Sequence, residues 1–520
     1  MTIAQPLYHE MEEFTNRQKK LGELRALNIE PYPHEFRPTA TSADIAKKFT
    51  DAAVGNSEAA AEGQTPFYKM AGRLILFRAM GKNIFAHLQD SEGRMQIMFN
   101  RDVTQIAGYC PAGEDLSALK IIEKKFDLGD ILGVEGFLFR TQKGELTLFV
   151  HKVFLLCKTL LPLPDKHSGL ADKGVRYRKR WLDLISNPEA KQTLLLRSRI
   201  ISLIRRYFEE AGFIEVETPV LQNVYGGAQA KPFTTHLHSL HQDMFLRISL
   251  EIPLKKLIVG GLDKIFEIGK VFRNEGIDKT HNPEFTLLEA YATYWDYNDL
   301  MVFTENLYEK IALSLFNDTK IHINGQTIDL KAPWPRLSMK ESIQKYADIH
   351  IDKLSNAELE ERLLYETTID PKSVKNLTRG ALIAIFFEEF VEKKLIQPHH
   401  ITDHPIETTP LCKPHRQPQA QKEGLVERFE TFILGSEMAN AYTELNDPNL
   451  QRQLLEGQAL KKLAGDEEAN PLDEDFIEAI CQGLPPTAGI GIGLDRLIML
   501  FTAAVSIKDV LYFPIMKPED

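Results

Sequence analysis

Residues 264–276, KIFEIGKVFRNEG, and 281–294, HNPEFTLLEAYATY, read as the two strands of a hairpin joined by a short loop. Side chains alternate across a strand, so Glu267, Val271 and Arg273 share one face, and Phe285, Leu287, Glu289 and Tyr291 share one face of the returning strand. An arginine and a carboxylate emerging from paired strands suit a ligand that carries both a phosphate and an amine. Alternating salt-bridged strands give the same letters, so the hairpin alone leaves the two readings level.

Two later stretches extend this pattern. In RFETFILGSEMANAYTELNDP (428–448), Glu430 and Glu437 offer two carboxylates for Mg²⁺, a hard cation that takes carboxylate and phosphate oxygens together. Seven residues apart, they fall on opposite faces of a straight strand, so Gly435-Ser436 must turn or bulge to bring them together. Asn440 and Glu444 line up if that stretch is helical. The alternative is a strand and helix with exposed acids. In TAGIGIGLDRLIMLF (487–501), the string Gly489 to Gly493 fails the dinucleotide fingerprint because its third glycine comes too early. Arg496 follows at the start of an apolar helix, where a cation and helix-end amides can face one phosphate. No G-x-x-x-x-G-K-[ST] occurs, which argues against a P-loop.

Upstream, residues 191–211 read as a helix with Arg197, Arg199, Arg205 and Arg206, after which Gly212 breaks it and FIEVETPVL continues as a strand. Residues 300–400 are mostly helical and read as an insertion, with a capping pattern at Ser355–Glu358. From Tyr68 to Cys157 the pattern changes to short alternating strands (KMAGRLILFRAM, NIFAHLQDSEGRMQIMFN, DILGVEGFLFRT, ELTLFVHKVFLL) separated by glycine turns, which suits a small closed barrel of the OB type. Residues 8–30 read as an amphipathic helix with one basic side, and 51–64 as a small, polar linker. Residues 162–183 form a proline-flanked hinge dense in Arg176, Arg178, Lys179 and Arg180, which either borders a polyanion or is a solvated charge run. The domain plan is therefore 1–64, barrel 65–160, hinge 161–185 and main domain 186–520.

Bulk properties narrow the class. A chain of 520 residues with 43% hydrophobic and 26% charged residues is globular and multidomain. No apolar run approaches the roughly 20 residues of a membrane helix. The N-terminus lacks the basic cap and apolar core of a signal peptide, so a cytoplasmic location is expected. The net charge of −11 argues against nonspecific coating of nucleic acid, so any such partner is gripped locally. Four cysteines without a C-x-x-C suggest neither zinc nor disulfides. The clusters His236-Leu-His238-Ser-Leu-His241 and His399-His400-Ile-Thr-Asp403-His404 have ligand-like spacing, but strand alternation opposes a zinc site at either.

Taken together, these elements resemble the three signature motifs of class II aminoacyl-tRNA synthetases. The helix ending in GFIEVETPVL resembles motif 1, whose Pro219 in the family sits at a homodimer interface; VFRNEG with HNPEFTLLEAY resembles motif 2, and GIGIGLDRLIMLF motif 3. The class I HIGH-like and KMSKS-like sequences are absent. FRNEG, GGAQAKPF and SEMANAYTELNDP are closer to the bacterial-type lysine family than to its aspartate and asparagine relatives, over nearly the whole chain. The resemblance implies an α+β fold: an OB-fold anticodon-binding barrel and a mainly antiparallel catalytic sheet flanked by helices, with a helical insertion. It also implies ATP, Mg²⁺, L-lysine and tRNA(Lys) as ligands.

Carried over residue by residue, Arg273 grips the α-phosphate and the amino-acid carboxylate. Glu275, His281, Asn282 and Phe285 hold adenine and phosphates, and Arg496 meets the γ-phosphate. Glu430 and Glu437 hold Mg²⁺. Gly227, Glu251, Glu289, Tyr291, Asn440 and Glu444 form the lysine pocket, with Glu251 presented from a strand. Three carboxylates suit a substrate with two ammonium groups, whereas an aspartate pocket needs a net positive lining. In the barrel, Phe85, Gln96 and Glu135 match positions that read the middle anticodon uridine by stacking and edge hydrogen bonds. Their plain alternatives are barrel core for Phe85 and surface for the other two. The competing functions are an aspartyl or asparaginyl enzyme, a paralogue reduced to a tRNA-binding module, and a lysyl transferase acting on a protein. Intact Arg273, Glu430, Glu437 and Arg496 oppose the second, and the barrel opposes the third.

Overall fold

The computed structural model describes residues 6–50, 54–110, 116–164, 170–375, 377–463, 465 and 468–518. Residues 51–53 of the expected linker and 165–169 of the expected hinge lie outside these. The chain divides into two compact units, Met1–Leu170 and Ala171–Asp520.

In the first unit, five strands form the barrel: β1 (Phe67–Met80), β2 (Asn83–Gln89), β3 (Arg94–Asn100), β4 (Ile131–Arg140) and β5 (Leu146–Cys157). Their order is β3-β2-β1-β4-β5, and a parallel pairing of β3 with β5 closes the cylinder. Alternation puts Leu74, Ile84, Leu88, Ile97, Val134 and Leu148 inside, all fully buried. Each such side chain contributes about 1.5–3 kcal/mol. The amphipathic helix α1 (Glu12–Ala26) docks through Arg17, which donates to Thr159 Oγ1 at 2.8 Å, and through Lys20, which pairs with Asp127 at 2.5 Å. Part of the expected linker is instead a short helix, α2 (Ser57–Ala61), because Asn56 caps it by accepting from the Ala59 N–H and Ala60 is fully buried.

The second unit is built on an eight-stranded, mainly antiparallel sheet. Helix α3 (Pro188–Glu210) runs along it, and Ile200, Ile204 and Phe208 pack in one core with Phe266, Leu288 and Ile490. Phe208→Ala would cost about 3–5 kcal/mol. The FIEVETPVL segment is strand only at Ile214–Glu215, with a second two-residue strand at Leu221–Gln222, because the TPV stretch between them is irregular. Glu251 opens helix α4 (Glu251–Val259), so the expectation that a strand presents it is corrected. The quoted hairpin forms as read: β6 (Lys264–Phe272) pairs antiparallel with β7 (Glu284–Thr293), Val271 opposite Phe285 and Glu267 opposite Glu289.

Helix α5 (Tyr297–Phe316) then packs on the sheet core, followed by a small hairpin at 320–329 and helices α6 (Met339–Ala347), α7 (Asn356–Glu366) and α8 (Arg379–Phe390). The Ser355–Glu358 capping box is present at α7. Strands β8 (His399–Pro405), β9 (Leu425–Ile433), β10 (Ser436–Thr443) and β11 (Thr487–Gly493) complete the sheet, in the order β8-β9-β10-β11-β7-β6 with a short strand at each edge. Helix α9 (Leu494–Thr502) leaves directly from β11. No helix among the described residues is long and apolar enough to cross a membrane.

Much of the basic stretch in this unit turns inward. Arg180 is 2% exposed, pairs with Asp183 at 2.7 Å and donates to the Lys508, Leu511 and Tyr512 carbonyls, while Arg176 reaches Asp183 at 2.7 Å. A buried guanidinium needs its donors filled, and here the chain's own carbonyls fill them. That answers the charge-run question for these two arginines as packing.

Candidate active site

Strands β7, β11 and β10 lie side by side, and their register builds one wall of a cavity of about 450 Å³. Gly491 on β11 stands between Glu289 and Asn440, and Gly489 between Tyr291 and Tyr442. The glycine string is thus explained by its neighbours: a Cβ on Gly489 would lie 2.2 Å from Glu444 Oε1 and 2.4 Å from the Tyr291 ring. Gly227, at φ +86°, is held the same way, since a Cβ there would meet Ser249 Oγ at 2.1 Å and Glu251 Cβ at 2.8 Å.

One end of the cavity is acidic and deeply buried. Glu289 accepts from the Leu250 N–H at 2.9 Å and from the Tyr291 hydroxyl at 3.1 Å. Burial, reinforced by the charge of Glu251, pushes Glu289 up to about 8. Glu251 accepts from the Tyr442 hydroxyl at 2.7 Å. Glu444 is 1% exposed and is likewise pushed up to about 8, mainly by burial, with Lys255 pulling it back. It lies under Gly489, at the back of the acidic end.

The other end gathers cations and polar groups. Arg273 stands just beyond β6, its Nε donating to the Ile248 carbonyl at 3.3 Å and its guanidinium 5.1 Å from the Phe285 ring centroid. Arg496, at the start of α9, donates to the Glu437 carbonyl at 2.9 Å, lies 3.7 Å from the Glu437 carboxylate and meets His281 Nε2 at 3.2 Å. Asn282 is buried with its Oδ1 unpartnered, and Glu275 is exposed at the rim. All the expected nucleotide and amino-acid residues line this cavity except Glu444, which backs it.

Glu430 and Glu437 also line the cavity, by a route different from the one expected. The turn between β9 and β10 is Leu434-Gly435, both at positive φ, one residue earlier than Gly435-Ser436. That turn pairs Phe432 with Glu437, so Glu437 shares a face with Glu430 two residues before Phe432, and burial and Glu430 together raise Glu437. Asn440 lies in β10 rather than in a helix. It still shares a face with Tyr442, because even spacing aligns residues in a strand too. Helix α8 adds Glu388 to this corner, and Glu392 joins it from the short 3-10 turn Glu392–Lys394 that follows, where burial plus the neighbouring acids raise Glu392 to about 7.

This geometry agrees with the comparisons. Residues 172–517 match the family described as tRNA synthetases class II (D, K and N), and residues 68–156 match the OB-fold nucleic acid binding domain. The chain belongs to the class II tRNA synthetases. A protein of Chlamydia caviae named lysine–tRNA ligase is 54% identical over 522 residues, covering 99% of each chain. Proteins with that name from Methanoculleus marisnigri and a Nostoc species are 46% and 44% identical, spanning 97% of this chain and 94% and 87% of their own.

Sequence reading missed three residues of this class II synthetase. Arg428 donates to Glu430 at 2.6 Å, Asn440 at 3.0 Å and Thr408 at 3.1 Å, tying the Glu430–Glu437 corner to Asn440 beside the acidic end. Tyr442 and Lys255 brace Glu251 and Glu444. The available signals were spacings: Arg428 is two before Glu430, Tyr442 two after Asn440, and Lys255 one helical turn after Glu251.

In the barrel, Phe85 and Gln96 sit on the adjacent strands β2 and β3. Phe85 is half-buried beside Met98, Phe139 and Phe149, and Gln96 donates to Thr147 Oγ1 at 2.7 Å. Glu135 lies on β4 and pairs with Lys69 at 2.7 Å, so strand pairing does not bring it to Phe85. Of the histidine clusters, His236 meets Asp243 at 2.7 Å, and His400 is fully buried between Thr431 Oγ1 at 3.0 Å and Glu305 at 3.3 Å. Among the described residues no group of three metal-ligating side chains forms.

Proposed function

We propose that this class II synthetase is a lysine–tRNA ligase that activates L-lysine with ATP and transfers it to the 3′ end of tRNA(Lys), as a homodimer in the cytoplasm. The observation that carries the reading is the buried cluster of three carboxylates, Glu251, Glu289 and Glu444, at one end of a cavity whose other end sets Arg273 and Arg496 beside Glu430 and Glu437. Lysine carries two ammonium groups and a carboxylate, and ATP carries the phosphates. The two ends match them by charge. An aspartate or asparagine side chain would meet a carboxylate cluster and be repelled or left unpaired.

In this reading Glu251, Glu289, Tyr291, Asn440 and Glu444 hold the ammonium groups, while Gly227 leaves room for the backbone of the substrate. Glu275, His281, Asn282 and Phe285 hold the nucleotide. Arg273 then holds the lysine carboxylate against the α-phosphate, so that a carboxylate oxygen attacks phosphorus in line and pyrophosphate leaves. Arg496 takes charge at the γ-phosphate end. A terminal ribose hydroxyl of tRNA then takes the lysyl group and releases AMP. Positioning and charge neutralisation supply the rate, with little side-chain proton transfer.

Glu430 and Glu437 fit Mg²⁺, because two crowded carboxylates facing a phosphate site are relieved by a hard divalent cation. When bound, the ion neutralises phosphate charge. Exposed Ile214, Val220, Leu221 and Val224 on the motif 1 segment supply an apolar surface for a second copy of the chain. Phe85 and Gln96 offer a stacking face and an edge donor to an unpaired base.

The test is ATP–pyrophosphate exchange with each of the twenty amino acids. Exchange with lysine alone supports the reading. Exchange with aspartate or asparagine in its place overturns it.

A further inference from the structure

Helix α4 carries a second ionisable residue one turn beyond Glu251. Lys255 is 1% exposed, and its ammonium ion-pairs with both Glu251 and Glu444. The rings of Tyr442 and Phe476 flank the same nitrogen at 5.4 and 5.8 Å. Lys255 lies behind the cavity wall rather than in it. A lysine is seldom fully buried, because desolvating its charge is costly unless partners hold it.

The arrangement has a counterpart problem in the acids. Glu251, Glu289 and Glu444 are all buried within one small region. Three ionised carboxylates there repel one another, and the cheapest relief is for one to take a proton and cease to be an anionic acceptor. A resident ammonium removes one unit of negative charge without that loss. It also fixes where two of the carboxylates point: one oxygen of Glu444 meets Lys255, and the other lies beneath Gly489 on the cavity wall.

We propose that Lys255 is a positioning residue that sets the acidic end of the pocket, once the arriving substrate has displaced the proton from Glu289, at two net negative charges, the number that matches a substrate with two ammonium groups. The inference rests on the reading of this end as the lysine pocket. Lys255 touches no substrate. It selects for a diamine by making the pocket neither too acidic nor too weakly charged, and by fixing Glu251 and Glu444 about one shared ammonium.

The charge count gives a test that packing does not imitate. Lys255→Met keeps the bulk and leaves three negative charges, whereas Glu251→Gln keeps Lys255 and leaves one. Each should raise the lysine KM in ATP–pyrophosphate exchange by about 10- to 100-fold, with the ATP KM unchanged. Lys255→Met/Glu251→Gln returns the count to two, and its lysine KM should fall below that of Glu251→Gln. If Lys255 only fills space, the two defects multiply, and a double variant no better than Glu251→Gln overturns the proposal. Should Lys255→Met alone fail to fold, the comparison of the double variant with Glu251→Gln still decides. A wild-type enzyme without lysine-dependent exchange would sink the pocket reading itself. Lysine activation by wild type together with a worsened double variant would sink only the role of Lys255.

Discussion

Arg197 on α3 and Asp495 on α9 form a buried ion pair at 2.5 Å that joins residues 298 positions apart. Arg197 also donates to Thr286 Oγ1 at 3.0 Å and to the Val510 carbonyl at 3.2 Å, while Asp495 accepts from the Thr286 N–H at 2.7 Å. One cation therefore locks motif 1, motif 2 and motif 3 together. The neighbour of Asp495 is Arg496, so the same lock aims the arginine that we propose meets phosphate. Asp495→Asn should lower the thermal midpoint of the catalytic unit, because an unpaired buried charge costs about 3–5 kcal/mol. Differential scanning calorimetry checks this, and an unchanged transition would mean the pair contributes nothing.

A pH dependence follows from Glu289. Its carboxyl stands at about 8 in the folded chain against an ordinary 4.5, so the empty pocket holds a proton there at neutral pH. The sign is that of a raised acid: its contribution to stability is complete below 4.5 and is lost as pH climbs toward 8. An arriving ammonium favours the ionised form and releases the proton. Lysine should bind more tightly as pH rises from 6 to 8, by up to about tenfold per unit for each carboxyl that titrates. Calorimetry in buffers of different ionisation enthalpy should detect proton release at pH 7. A flat affinity with no proton release would contradict this.

The barrel yields a separate prediction. Phe85→Ala should reduce tRNA charging about 5- to 150-fold, since one base stack is worth roughly 1–3 kcal/mol, and should leave lysine-dependent exchange unchanged. The loss should shrink on tRNA whose middle anticodon base has been replaced. Equal losses on both tRNAs would instead assign Phe85 to the small apolar cluster of Met98, Phe139 and Phe149 beside which it packs.

Much of this site was legible because alternation is rigid: once the hairpin 264–294 is read, Glu289 and Tyr291 must share a face. The barrel was legible for the same reason. The turn at Leu434-Gly435 was not, because a leucine at φ 55° is a poor turn residue and only tertiary packing makes it one. Asn440 shows the ambiguity of a four-residue spacing, which aligns residues on a helix and on a strand alike. Lys255 and Arg180 were illegible as buried groups. In sequence each is one more charge, and only the fold supplies the carboxylates and carbonyls that let it leave water.

The most direct test of the central claim is the steady-state exchange kinetics of Glu444→Gln. Glu444 lies behind Gly489 at the acidic end and makes no hydrogen bond or ion pair with Arg273 or Arg496. A charge-assisted bond to a substrate ammonium is worth about 1.5–3 kcal/mol, so kcat/KM for lysine should fall about 10- to 150-fold while the ATP KM stays within about twofold of wild type. Wild-type kcat/KM for lysine in the folded variant would contradict the assignment of this pocket to lysine.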